Sequence, residues 1–223
     1  MVFSFSAIRP LVVAALLCCP FARAGPQPEL KRIADTAVWR VSNRTATLSE
    51  RDGYPAVHLG AKDGDGFAWL IGSDFSEGMI DIDFRGANKP GQSFVGIAFH
   101  GVDDTTFDAV YFRPFNFKNP DIPRRARAVQ YISHPQFTWE KLRAESPGKY
   151  EAAVTPVPDP DGWFHAHIVV KGKTISVQVN DSSTASLVVT QLSDRHRGLV
   201  GLWVGNGSEG DFANFRITPA TTP

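Results

Sequence analysis

Two acids alternate in Met79-Ile80-Asp81-Ile82-Asp83, and two histidines alternate in Phe164-His165-Ala166-His167. Residues two apart on a strand share a face, so Asp81 and Asp83 present neighbouring carboxylates. Such a pair can work as general acid and base, or hold a divalent cation through its oxygens. It is equally the polar side of a half-exposed strand whose Ile80, Ile82 and Phe84 are buried. His165 and His167 offer imidazole nitrogens to zinc or a similar metal, which needs one or two further ligands. The sequence identifies no third ligand, and a solvent-facing alternation explains the pair without one. His100 closes the run Phe94–Gly101, where alternation groups it with Phe94, Gly96 and Ala98. It is a candidate proton carrier near neutral pH, or a structural histidine at a strand end. Lys62-Asp63-Gly64-Asp65-Gly66 opens like a calcium loop but lacks the closing glutamate, and reads as a polar turn. The cofactor expectation is thus a divalent cation, calcium or a transition metal, with its ligands unassigned.

Binding chemistry is concentrated further along. Asp108 to Phe117, "DAVYFRPFNF", puts Arg113 and Asn116 among aromatic rings. Alternation sets Tyr111 and Arg113 on one face and Val110 and Phe112 on the other, so one face fills a core while the other is free to bind. Pro114 then breaks the strand, leaving Phe115-Asn116-Phe117 at a rim. Aromatic rings cover the apolar C–H faces of sugars, and Arg and Asn hydrogen-bond hydroxyls in planar, multi-donor fashion. Arg113 paired with a nearby acid, with rings padding a loop, is the structural alternative. The stretch Ala128 to Arg143 repeats the mixture with Gln130, Tyr131, His134, Trp139 and Glu140. It forms either a cleft wall or an ordinary packed loop.

The elements that must position these groups are strands. Period-two alternation punctuated by Gly, Pro, Asn and Asp predicts fourteen of them. They are Val38–Val41, Thr45–Ser49, Ala56–Leu59, Phe67–Ile71, Met79–Arg85, Phe94–Gly101, Phe107–Arg113, Ala126–Ile132, Tyr150–Val154, Trp163–Lys171, Thr174–Asn180, Ser186–Val189, Leu199–Gly205 and Asp211–Ile217. Spacing of about ten residues suits a sandwich or barrel. Helix is expected only as one turn near Leu30 and a short segment in "TWEKLRAE". Two hairpins are expected, one turning at Gly172 and one at Asn206-Gly207.

The 223 residues carry 23 basic and 23 acidic side chains, so nothing points to nucleic acid or anionic lipid. The first 24 residues, with Arg9, an apolar stretch from Leu11 to Cys19 and Ala22-Arg23-Ala24, read as an export signal. That run is too short for a membrane span, and Leu17 before Cys18 argues against a lipid anchor. Cleavage after Ala24 would remove both cysteines and leave a disulfide-free secreted or periplasmic chain. The expected organisation is a signal at 1–24, a linker at 25–32, one domain at 33–218 and a tail at 219–223.

Trp163 opening a strand, the "VKGKTISVQVND" hairpin, "GLVGLWVG" and the closing "FANFRI" resemble the concanavalin A-like lectin/glucanase jelly roll. "GMIDIDFRG" and "SFVGIAFHG" resemble its preceding strands. Within that superfamily the sequence is most similar to the secreted 3-keto-disaccharide hydrolase domains, also labelled family-16-glycoside-hydrolase-like. The likeness implies an all-β sandwich of two curved antiparallel sheets with sugar as the ligand of its concave face. Family-16 glucanases carry Glu-x-Asp-x-Glu there; Asp81 matches the middle acid, while Met79 and Asp83 replace the glutamates. A retaining mechanism needs two carboxyls about 5–5.5 Å apart, so methionine at the nucleophile's place disfavours ordinary glucanase activity. The resemblance instead implies cleavage of an oxidised glycoside. A 3-carbonyl acidifies the C2–H bond, and a base such as His100 or Asp81 would drive elimination, with a metal holding the ketone oxygen. A non-catalytic sugar-binding or cell-surface module using Tyr111, Arg113, Asn116 and Trp139 is the other reading.

Overall fold

A computed structural model describes residues 28–220; the export signal expected at 1–24 lies outside them. All fourteen strands form. They are β1 (Trp39–Ser42), β2 (Ala46–Arg51), β3 (Tyr54–Leu59), β4 (Gly66–Leu70), β5 (Gly78–Arg85), β6 (Val95–Gly101), β7 (Phe107–Phe112), β8 (Val129–His134), β9 (Glu151–Ala152), β10 (Trp163–Lys171), β11 (Thr174–Val179), β12 (Leu187–Thr190), β13 (Leu199–Val204) and β14 (Gly210–Pro219). They make two seven-stranded antiparallel sheets in a jelly-roll sandwich. The first runs β1-β4-β13-β6-β7-β8-β9 and the second β12-β11-β10-β5-β14-β3-β2.

Alternation decides the layers. Ile80, Ile82 and Phe84 of β5 and Phe164, Ala166 and Ile168 of β10 are buried, while the residues between them are half-exposed. From the first sheet Val95, Ile97, Val110, Phe112, Leu202 and Val204 meet them. Phe84, Phe112 and Phe164 pack within 5.0–5.6 Å of one another, centroid to centroid. Each such ring contributes roughly 1.5–3 kcal/mol by leaving water.

The first sheet departs from simple alternation, because its outer face is largely buried as well. Phe67 and Trp69 of β4 stack at 4.9 Å on that face, and Tyr111 lies 5.0 Å from Trp203 of β13. Gly96 makes room for them: a Cβ there would meet Tyr111 Cβ at 2.6 Å. The cover is formed by the two connections that flank β8 between β7 and β9. It holds a 3₁₀ turn at Pro114–Asn116, the short helix α1 (Ile122–Arg125) and the helix α2 (Trp139–Glu145). Thr138 caps α2 by accepting from Lys141 N–H, and buried Leu142 anchors it. The single turn expected near Leu30 is a 3₁₀ turn at Leu30–Arg32.

Two expectations change. β10 and β11 form the predicted hairpin, turning at Gly172 with φ +56°, but β13 and β14 do not pair. The first joins β4 and β6, the second β3 and β5, so Asn206-Gly207 carries the chain from one sheet to the other. Turn-forming residues specify reversal, not whether the partner is the neighbouring strand or the opposite layer. The segment from Ala126 also enters its strand late, at Val129, because Asp121 caps a helical turn through Arg124 N–H.

Candidate functional site

The cover and the outer face of the first sheet enclose a cavity of about 580 Å³. Its floor is Tyr111 of β7 and Trp203 of β13. His134 closes β8 at one end, Asp65 precedes β4, and Trp139, Glu140 and Arg143 project from α2. Phe94, Phe115 and Asn116 complete the wall near Arg113.

One end is acidic with a histidine. Burial pushes the Asp65 carboxyl above its usual range, against the pull of His134, Trp203 and Arg44. Burial likewise holds His134 below its ordinary value, against the attraction of Asp65 and Glu140. His134 is therefore a neutral imidazole at neutral pH, flanked by two carboxyls that favour its cation once a proton arrives. The ring stacks on Phe107 at 4.9 Å. The Trp203 indole N–H is buried with no hydrogen-bond partner, although it is near enough to Asp65 to favour the carboxylate weakly.

The other end is basic. Glu151 of β9 is buried and gathers three arginines: Arg143 as a two-pronged pair at 3.2 and 2.8 Å, Arg127 at 3.6 Å and Arg113 at 3.8 Å. Arg113 is only 5% exposed. It donates to the Arg127 carbonyl at 2.9 Å, to Tyr111 OH at 2.5 Å and to Gln130 Oε1. Asn116 Nδ2 donates to the same Arg127 carbonyl at 3.2 Å. Arg113 and Tyr111, the latter 2% exposed, thus meet the cavity by an edge and chiefly shape its wall. Burial pushes the Tyr111 phenol up to about 12, so it stays a neutral donor. Trp139 is 41% exposed with Arg143 stacked 4.8 Å from its ring, a flat apolar platform at the mouth.

The predicted residues divide by strand face and by sheet. Tyr111, Arg113, Asn116, His134, Trp139 and Glu140 line the cavity. Gln130 stands behind it, accepting from Tyr111 and Arg113. Tyr131 points the opposite way, as the next residue on a strand must, and its hydroxyl donates to Asp108 between the sheets at 3.0 Å.

His100 is 1% exposed and also lies in the interior. Its φ of +48° and the register shift between Leu199 and Gly201 on the paired strand turn it off the Gly96–Ala98 face. Its Nδ1 faces Asp108 at 3.2 Å and its Nε2 faces the Ser76 carbonyl at 2.8 Å. It has no access to the cavity. Asp81 and Asp83 lie on the outer face of the second sheet, across the core from the cavity. The alignment of this strand with the glucanase acids therefore does not carry to a cleft position here. Asp65, Trp203, Arg127 and Arg143 are cavity residues that sequence reasoning missed. Asp65 was hidden in the turn that resembles a calcium loop, and Trp203 in an alternating strand.

The fold has many relatives. A Bacillus subtilis protein of unknown function with a galectin-like fold superposes with a TM-score of 0.57 at 14% identity, covering 89% of this chain and 96% of that one. The Bacillus licheniformis β-glucanase does so at 0.56 and 11% identity, covering 89% and 100%. The carbohydrate-binding module CBM66 of Bacillus subtilis gives 0.52 at 14% identity, covering 79% and 95%. At these identities the likeness is one of fold. No curated protein matches the sequence significantly. A family match, by contrast, spans residues 34–218, which include the whole cavity wall and all of the strands but the last residue of β14, and it places the chain in the 3-keto-alpha-glucoside-1,2-lyase-like domain family.

Proposed function

We propose that the cavity takes a 3-keto-glycoside and cleaves it by elimination across C1 and C2, with His134 as the base. The observation that carries this is a neutral imidazole, flanked by Asp65 and Glu140, at the end of a cavity walled by tryptophans and arginines. The family's description supports the reaction class, and a β-glucanase and a carbohydrate-binding module among the structural neighbours support a saccharide ligand.

The chemistry needs no redox partner. His134 takes the C2 proton, and the C–H electron pair passes into the C3 carbonyl as an enolate. The enolate then forms the C1=C2 double bond and expels the aglycone oxygen. The imidazolium, held by the two carboxylates, returns its proton to that oxygen. The products are an unsaturated 3-keto sugar and an alcohol, with no water consumed. In this reading Trp139 stacks on a sugar face and the Asn116 side-chain carbonyl accepts from a sugar hydroxyl. The export signal read at residues 1–24 extends the proposal to a secreted or periplasmic protein acting on external glycosides.

Binding without chemistry is favoured by one observation: among the described residues no side chain hydrogen-bonds the His134 imidazole to fix its tautomer. Incubation with nitrophenyl 3-keto-glucoside and ordinary nitrophenyl glucoside separates the readings. Release of nitrophenol from the keto substrate alone, lost in His134→Gln, is the expected result. Saccharide binding without turnover establishes the module reading, and neither binding nor turnover overturns both.

A further inference from the structure

On the outer face of the second sheet, away from the cavity, β5 and β10 run side by side with His165 opposite Asp83 and His167 opposite Asp81. All four side chains are half-exposed. We infer that His165, His167 and Asp81 form a binding site for a divalent transition metal of the zinc class.

Two shells of contacts define the site. In the inner one, Asp81 Oδ1 is 2.6 Å from His167 Nδ1 and 3.4 Å from His165 Nε2, and one ligand atom from each residue falls within 4.8 Å of the others. Tetrahedral zinc with bonds of about 2.0–2.1 Å separates its ligands by roughly 3.3 Å. The His165 contact already has that length; the His167 contact is a hydrogen bond that opens by well under an ångström when an ion replaces the shared proton. In the outer shell, Asp83 Oδ1 accepts from His165 Nδ1–H at 2.6 Å and Asn214 Nδ2 donates to Asp83 Oδ2 at 2.6 Å. That fixes the His165 tautomer with its Nε2 lone pair turned toward Asp81, the carboxylate–histidine–metal relay that orients first ligands in metalloproteins.

The donor set selects the ion. Two imidazoles and one carboxylate suit zinc, cobalt, nickel or iron and are poor for calcium or magnesium, which take oxygen ligands. The ligands sit on two central strands of a seven-stranded sheet, so they are held in place before an ion arrives. Half-exposure leaves the remaining coordination positions to water or to a donor from outside. Arg216 stands across from Asp81 on β14, but it forms no ion pair with it among the described residues.

The test uses untagged full-length protein stripped with chelator and titrated with cobalt(II) and zinc(II) chloride, read by cobalt d–d absorption and by calorimetry. One ion per chain is expected, with visible bands at energies that report nitrogen and oxygen ligation. The double variant His165→Ala/His167→Ala is expected to abolish binding and Asp83→Asn to weaken it about 10- to 100-fold, while His58→Ala leaves it unchanged. Asp81→Asn, which preserves size, is expected to remove binding as well and serves in its place should the double variant not fold. No stoichiometric ion, or an affinity indifferent to both the histidine and the Asp81 changes, overturns the inference. Turnover at the cavity is not part of the readout, so failure here and failure of the proposed reaction are separable.

Discussion

Asp108→Asn is the perturbation whose effect the structure fixes most tightly. Asp108 is fully buried between the sheets. Four donors converge on its carboxylate, Tyr131 OH at 3.0 Å, Arg195 Nη2 at 2.9 Å, Ser193 Oγ at 2.8 Å and Gln191 Nε2 at 3.4 Å, and His100 Nδ1 lies 3.2 Å from it. They come from β6, β8 and the loop after β12, so one carboxylate on β7 joins four parts of the chain. Asparagine keeps one acceptor oxygen and turns an NH₂ toward groups that are themselves donors. Breaking a buried pair by removing one partner costs about 3–5 kcal/mol, mostly because Arg195 and the other donors are left facing nothing. For a domain of this size that lowers Tm by roughly 10 °C. Urea titration followed by circular dichroism measures it. There is also a pH signature. Burial pushes the Asp108 carboxyl up, but hydrogen bonds from His100, Ser133 and Ser193 and the charge of Arg195 outweigh it and hold the group below its ordinary range. Below about pH 3.9 the unfolded chain binds the proton first, so this stabilisation is present above that pH and is lost as pH falls through the folded value. The gap between wild type and variant should therefore narrow below about pH 4. A loss under about 1 kcal/mol, or a gap constant down to pH 3, refutes the account.

The cavity supplies further expectations. His134→Gln abolishes turnover of a 3-keto-glycoside while leaving the urea midpoint within experimental scatter. Because burial lowers His134, the acid limb of kcat/KM in the wild type falls below the ordinary histidine value of about 6.5; a limb at or above it argues for another base. Glu151→Gln leaves Arg113, Arg127 and Arg143 crowded without their common counter-ion and costs about 3 kcal/mol in urea denaturation. Restoring most of that loss with Arg143→Met in the same chain checks that repulsion is the cause. Gly96→Ala drives a methyl into the Tyr111 backbone and side chain, costing about 1–3 kcal/mol by overpacking and weakening saccharide affinity measured by calorimetry, since Tyr111 is the floor.

What the sequence made legible follows from what alternation encodes. In Trp163–Lys171 inward and outward residues take turns along nine positions, and the observed strand has those bounds. Alternation reports a face, however, and not a sheet. It grouped Asp81 with Asp83 correctly and was silent on which layer they would occupy. It also forbids Gln130 and Tyr131 from serving one site, because adjacent strand residues point apart; the structure puts the first behind the cavity and the second in the interior. His100 escaped for a different reason. A single left-handed residue with a bulge opposite reverses the facing of one position, and histidine is not a residue whose presence announces that conformation.

The two sheets show how much the address of a carboxylate decides its chemistry. Asp65 and Asp81 are both aspartates beside histidines. Asp65 lies under the β7–β9 cover, where loss of solvent raises it and lowers His134. On the open face, Asp83 hydrogen-bonds His165, which raises that histidine instead. Anchored at Nδ1 by that carboxylate, the imidazole presents its Nε2 as an oriented metal ligand. The difference between a site suited to proton transfer and one suited to an ion thus comes from covering one sheet with loop and helix and leaving the other bare. Removing the indole from the cover by Trp139→Ala tests this directly: water admitted at the mouth should move the His134-dependent limb of the pH–rate profile upward toward about 6.5, while cobalt binding on the opposite face stays as it was. A limb that does not move, with the variant folded, would show that the rim ring does not control solvent at His134.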